Sequence, residues 1–266
     1  MALRTAKFGY FSARCYPDAD REVSQINADF FTWFFLFDDS YVDRAAPGAP
    51  LVIPAISAAL RVLDSGVPGD DDIVEVAAFA DVCRRLRARA THAQFQRFAQ
   101  AMRLYLNSLT FLVLMNGRGA PPAMGEYEAM RHYTGGVECV QALIDIGRPV
   151  ALTAEEYNHP DVRKLAKCMG NAVTWLNDLH GLDVEADQPG VTWSMPLVRA
   201  AHGHSLPDSI DYTVERIAGE VAEFEATAQR IEPLADIALR EFVNGLRLGM
   251  SGYQEWVARD TRRYTV

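Results

Sequence analysis

The sequence predicts an all-α protein built as a helical bundle, and three observations predict it. Segments rich in Ala, Leu, Arg, Glu and Met, all good helix formers, fill most of the 266 residues. Proline and glycine fall in groups between them, at 47–50, 66–69, 117–122, Pro149, Pro160, 189–190 and Pro207. Alternating apolar and polar runs, the mark of half-buried strands, are scarce. The stretch 76–114 reads as one or two long helices, followed by helices over 126–133, 162–185, 212–229 and 236–261. About nine to eleven helices with short connections are expected, as in a bundle. With no internal repeat and no low-complexity linker, 1–266 reads as one domain.

Composition then narrows the function. Hydrophobic residues at 49% and charged residues at 23% are ordinary for a protein in water. A net charge of -9 argues against a nucleic-acid surface, which needs clustered Lys and Arg. It leaves an anionic substrate open, because divalent cations reverse the local field. Cys15, Cys83, Cys139 and Cys168 form no CxxC pair, so neither a disulfide framework nor a zinc site is expected and a cytoplasmic location is. No leader pattern is visible, and the apolar run 30–37 is too short to cross a bilayer, so no membrane insertion is expected.

Chemistry first shows in Phe34-Phe35-Leu36-Phe37-Asp38-Asp39-Ser40-Tyr41-Val42-Asp43, three acids at the end of an aromatic helix. At about 3.6 residues per turn, Asp39 and Asp43 fall on one face with Asp38 alongside. Such hard oxygens suit Mg2+, which keeps several waters and bridges carboxylates to phosphates. Taken alone, the acids equally fit a solvated helix end. The rings before them, Phe30, Phe31, Trp33, Phe34, Phe35 and Phe37, are too many for one core-facing stripe. Some are expected to line a cavity, where an aromatic face stabilises a cation.

A second group follows in Asn177-Asp178-Leu179-His180-Gly181-Leu182-Asp183-Val184-Glu185. Asn177, Gly181 and Glu185 stand at i, i+4 and i+8, on nearly one face over about 12 Å of helix. An amide oxygen and a carboxylate two turns apart can reach an ion on the same side. The same residues also suit a plain surface.

Together the two segments resemble the metal motifs of class I terpene synthases, an aspartate-rich DDxxD or DDxxxD element and an (N/D)DxxSxxxE element. The stretch Pro122-Ala123-Met124-Gly125-Glu126-Tyr127-Glu128-Ala129-Met130-Arg131-His132-Tyr133-Thr134-Gly135-Gly136 is similar to the family's helix that carries a diphosphate sensor. Arg131 stands 46 residues before Asn177, the family's interval, and Arg263-Tyr264 resembles the C-terminal RY pair of bacterial members. The resemblance covers most of the chain.

The resemblance implies a single-domain bundle around a central cavity, with the N-terminal helices short or absent. It implies three Mg2+ ions, with Asp38, Asp39 and Asp43 on one wall and Asn177 and Glu185 on the other. Arg131, Arg263 and Tyr264 would contact diphosphate, Gly135 would turn its carbonyl towards a nascent cation, and Phe34, Phe35 and Trp256 would line the cavity. Two physical points support the sensor assignment. A guanidinium fork matches phosphate oxygens, and paired glycines break a helix. The implied activity is Mg-dependent ionisation of a linear prenyl diphosphate, followed by cyclisation to a terpene. Farnesyl is the default chain, with geranyl and geranylgeranyl open, as is a homodimer.

The sequence departs from the family pattern at four places. Gly181 stands where a Ser or Thr ligand is usual, and Val184 where many members carry Lys. Arg262 is an alternative to Arg263, and few residues precede Asp38. Two other readings compete. An isoprenyl diphosphate synthase would show a second aspartate-rich motif, whereas the one here is led by Asn177. A prenyl-diphosphate-binding protein with little turnover would share every motif.

Overall fold

A computed structural model of the chain describes residues 3–43, 52–69, 74–146, 151–185 and 193–264. Among these described residues there are thirteen α-helices and no strand. They are α1 (Leu3–Ala6), α2 (Phe8–Cys15), α3 (Arg21–Asp38), α4 (Val52–Ser65), α5 (Val74–Arg89) and α6 (His92–Gly117). Then come α7 (Met124–Thr134), α8 (Val137–Ile144), α9 (Ala154–Asn158), α10 (Pro160–Glu185), α11 (Met195–Ala201), α12 (Leu206–Ile231) and α13 (Ile237–Arg259).

Thirteen exceeds the expected nine to eleven because α1, α9 and α11 are too short to display a period. The 76–114 stretch divides into α5 and α6 at Thr91, whose side chain and Gln94 form a capping box. Asp20, Ser205 and Asp236 cap α3, α12 and α13 in the same way, each accepting the backbone N–H three residues on. One expectation changes in kind: 39–43 continues α3 as a π-helical turn rather than an α-helical one. Such wide turns occur often at functional sites, and this one carries Asp39 and Asp43.

The aromatic helix α3 shows how the rings are divided. Phe30, Phe31, Trp33 and Phe37 are buried in the core, while Phe34 and Phe35 stay half-buried. Trp33 stacks on Phe79 of α5 at 4.1 Å, Phe30 meets Phe98 of α6 edge-on, and Phe31 meets Phe11 of α2. Each such burial contributes about 1.5–3 kcal/mol, so α3 is fixed firmly with its acidic end projecting. Helix α6 is long and apolar enough to cross a membrane by length and composition, yet half of that window is buried inside the bundle. Its buried residues Phe98, Met102, Tyr105, Leu106 and Leu109 belong to the main core, as expected of a central bundle helix.

A cavity of about 440 Å³ lies between the α2–α3 connection, α8 and the start of α13, lined among others by Tyr16, Asn27, Leu143 and Asn244. Asn27 precedes Asp38 by eleven positions of helix, so this cavity is about 16 Å below the acidic end of α3.

Candidate active site

Three helix ends and the chain after α13 meet beyond Asp38. Asp38 ends α3, and its Oδ1 accepts the Tyr105 hydroxyl of α6 at 2.8 Å. Asp39 receives both prongs of Arg263, Nη2 on Oδ1 at 2.6 Å and Nη1 on Oδ2 at 3.0 Å. Both partners of that pair are largely shielded, with side-chain exposures of 12% and 14%, so water screens it less than a surface pair.

The second group sits on α10. Asn177 Oδ1 accepts from Arg131 Nη2 at 2.6 Å, and its Nδ2 donates to Tyr264 Oη at 2.7 Å and Tyr253 Oη at 3.2 Å. Tyr253 also donates to Tyr264 Oη at 3.4 Å. Tyr264 Oη therefore accepts twice. Burial pushes both phenols above their ordinary pKa, so they remain protonated donors.

Arg131 is held from behind by Asp178, whose Oδ1 accepts its Nε at 2.9 Å. The other oxygen of Asp178 accepts the Tyr127 hydroxyl and, at 3.0 Å, the backbone N–H of Met195. Burial pushes the Asp178 carboxyl up, and the Arg131 charge opposes that shift. The guanidinium is thus oriented before any ligand arrives.

Arg131 also marks the approach to a helix break. Helix α7 ends at Thr134, Gly135 caps it, and Gly136 takes a left-handed φ of 62° before α8 begins. A Cβ on Gly135 would lie 2.2 Å from Thr174 Cγ2, and one on Gly136 would lie 2.3 Å from Phe34 Cζ. The break is packed directly against α10 and against the Phe34 ring. Phe34 rests on Tyr105 at 4.5 Å, so the break, this ring and Asp38 form one continuous contact chain.

Phe35 stacks on Phe8 at 4.6 Å and carries the Arg263 guanidinium 5.2 Å above its ring. Trp256 is fully buried behind it, among Phe8, Phe11 and Tyr264, and its N–H donates to the carbonyls of Ala6 and Lys7. The side chains of Asp43 and Glu185 lie outside the described residues. The structure thus brings Asp38, Asp39, Arg131, Gly135, Asn177, Arg263 and Tyr264 to one end of the bundle. Tyr105, Tyr127, Asp178 and Tyr253 join them without having been singled out. Tyr127 and Asp178 had a signal: Tyr127 is one turn before Arg131, and Asp178 is an acid flanked by Leu176–Leu179 apolar positions. Tyr105 and Tyr253 look like ordinary amphipathic-helix residues.

The donor chemistry fits a hard cation. Asp38, Asp39 and Asn177 offer only oxygen, and all three are partly accessible. Among the described residues no group of three His, Cys, Asp or Glu side chains converges on one point.

An all-α bundle with carboxylates at one helix end, an amide on another helix and partly buried arginines between them is the arrangement of a class I terpene synthase. The chain belongs to the terpene synthase family: the model described as "Terpene synthase family 2, C-terminal metal binding" matches residues 29–223. A (+)-corvol ether B/(+)-corvol ether A synthase of Kitasatospora setae, named as cyclizing (2E,6E)-farnesyl diphosphate, is 40% identical over 98% of this chain and 82% of its own length. A (+)-T-muurolol synthase of Roseiflexus castenholzii is 31% identical over 97% of this chain and 81% of its own length. Among solved structures, 2-methylisoborneol synthase from Streptomyces coelicolor, in complex with Mg2+ and 2-fluoroneryl diphosphate, superposes with a TM-score of 0.88 at 20% identity. It covers 97% of this chain and 84% of that one, and shows the shared fold.

Proposed function

We propose that this terpene synthase ionises farnesyl diphosphate with Mg2+ and cyclises the resulting allylic cation to a sesquiterpene. The observation that carries the reading is the convergence of Asp38, Asp39 and Asn177 with two arginines at one end of the bundle. The farnesyl chain length comes from the relatives, two of which are named for that substrate.

In this reading Asp38, Asp39 and Asp43 hold the metal from one side, and Asn177 and Glu185 from the other. Mg2+ held by these residues, three ions by the family resemblance, would supply positive charge to offset the leaving diphosphate. Arg131 is already aimed by Asp178 and shifts from Asn177 to a diphosphate oxygen. Arg263 moves from Asp39 to the same anion, which frees Asp39 for metal. Tyr264 supplies the O–H that neither Asn177 nor Tyr253 uses. These donors are preorganised where negative charge develops, the arrangement that contributes most to such barriers. The Gly135 carbonyl, at the helix break, would face the cation, with the Phe34 and Phe35 rings as its walls. Water is excluded by the aromatic packing, which keeps the cation from being quenched. The whole chain acts as one catalytic domain in water, without membrane insertion.

The test is incubation with Mg2+ and geranyl, farnesyl or geranylgeranyl diphosphate in turn, reading diphosphate release and the organic products. A cyclic fifteen-carbon product, lost with EDTA, is expected. Asp38→Ala and Asn177→Ala should abolish release with helical circular dichroism intact. Turnover unchanged in both variants would remove the metal assignment. A longer prenyl diphosphate formed with isopentenyl diphosphate would replace cyclisation by chain elongation.

A further inference from the structure

The chain has to turn sharply after α13 for Arg263 to reach Asp39, at the start of the π-helical turn that follows α3. Its route is held by the N-terminal segment. The Thr261 N–H donates to the Trp256 carbonyl at 3.0 Å, and the Arg262 N–H donates to the Thr5 carbonyl at 3.0 Å. Asp260, which closes α13, accepts Arg14 Nε at 2.5 Å, and the same guanidinium pairs with Glu255 one turn earlier. The Asp260 side chain is only 9% exposed. Helix α2 lies so close to α13 that a Cβ on Gly252 would come within 2.7 Å of the Arg14 carbonyl carbon. The Trp256 N–H, spent on Ala6 and Lys7, closes the other side.

We infer that Arg14 is a positioning residue for the diphosphate end of the site, acting through Asp260 to aim Arg263 and Tyr264. The inference rests on the reading that those two residues take the diphosphate. Arg14 itself touches no part of the site. Its guanidinium joins two successive turns of α13 at the point where the helix stops, so the last helical turn and the three residues after it move as one body with α2. Without it, Asp260 loses its partner, and the backbone after α13 loses its tie to α2 while Arg263 and Tyr264 keep only their contacts with Asp39 and Asn177 in the site. Once Arg263 leaves Asp39 for the anion, the looser backbone lets it sample more directions, and ordering it weakens binding.

The experiment measures calorimetric binding of inorganic diphosphate with Mg2+ to the full chain, its Arg14→Met and Asp260→Asn variants, Arg263→Ala, and the Arg14→Met/Arg263→Ala double variant. Met keeps the apolar stem of Arg14 and removes the fork. Arg14→Met and Asp260→Asn should each weaken binding by about tenfold. In the Arg263→Ala background Arg14→Met should add almost nothing, because there is no guanidinium left to aim. Hydrogen exchange at the Thr261 and Arg262 amides should quicken in both single variants while core amides stay unchanged. Additive losses in the double variant, or unchanged exchange at those two amides, would overturn the positioning role. Diphosphate bound equally well by the parent chain and Arg263→Ala would instead overturn the underlying reading, and the exchange data would tell the two failures apart.

Discussion

Arg263 and Asp39 form a two-pronged ion pair across 224 positions of sequence, with N–O separations of 2.6 and 3.0 Å. One partner belongs to the acidic end of α3 and the other to the chain after α13, so the pair closes the bundle over its candidate site. On the proposed reading each group waits on the other: Asp39 is released for a metal as Arg263 is released for an anion. If Arg263 takes the anion as proposed, Arg263→Ala should lower kcat by about a hundredfold, the size of effect that loss of one oriented donor to a developing negative charge has. Arg263→Lys should recover little, because a point charge cannot reproduce the fork. Steady-state diphosphate release with all three proteins checks this, and a fully active Ala variant would remove Arg263 from the site.

The helix break gives a sharper steric test. Gly136 combines a left-handed φ of 62° with a Cβ position 2.3 Å from Phe34 Cζ, whereas Gly135 has ordinary helical φ and its one severe clash is with the Thr174 methyl at 2.2 Å, the Arg131 carbonyl oxygen following at 3.2 Å. Gly135→Ala should therefore be rescued by Thr174→Ser, which deletes that methyl. Gly136→Ala should not be rescued by Phe34→Leu, since about 1–3 kcal/mol of backbone strain persists. Thermal melts of the four combinations decide it. Equal rescue at both positions would show that crowding alone matters.

How much of this was legible in the sequence depends on range. Helix spacing placed Asn177 at one turn from Gly181, and α10 runs unbroken through both. Capping residues such as Thr91 with Gln94 are local as well, and so readable in principle. The π-helical turn at 39–43 was not, because spacing arguments assume α-helical winding. Nor were the contacts that organise the site. Tyr105 meets Asp38 from 67 positions away, and Tyr253 meets Asn177 from 76. Each looks like any tyrosine on a half-buried helix face until packing sets what its hydroxyl reaches. Trp256 shows the same limit. A ring near the end of the last helix suggested a cavity wall, while its N–H is bound to Ala6 and Lys7 in the core.

Asp178 is the residue on which the aim of Arg131 depends. It is 2% exposed and accepts from Arg131, Tyr127 and the Met195 N–H. Asp178→Asn leaves the Arg131 charge without its buried partner, and breaking such a pair costs about 3–5 kcal/mol. Tyr127→Phe removes one hydroxyl and should cost about 1–3 kcal/mol. Urea denaturation measures both. Diphosphate binding should fall with Asp178→Asn and stay nearly intact with Tyr127→Phe, because the latter leaves the Arg131–Asp178 contact in place.

His180 supplies the pH dependence expected near neutrality. It lies on α10 beside the rings of Tyr253 and Tyr264, at 6.0 and 5.8 Å, and its Nδ1 is buried without a hydrogen-bond partner. Burial lowers its pKa from the ordinary 6.5. As pH falls through 6.5, the unfolded chain takes up a proton that the folded chain still refuses, so stability is lost until the lower folded pKa is reached. Above 6.5 both states are neutral and the group contributes no slope. The melting temperature should therefore drop as pH is lowered from 7.5 towards 5.5. His180→Phe should flatten that drop, and because no hydrogen bond is given up at Nδ1 it should leave stability at pH 7.5 unchanged or raised. A variant with the same pH slope as the parent would place the titrating group elsewhere.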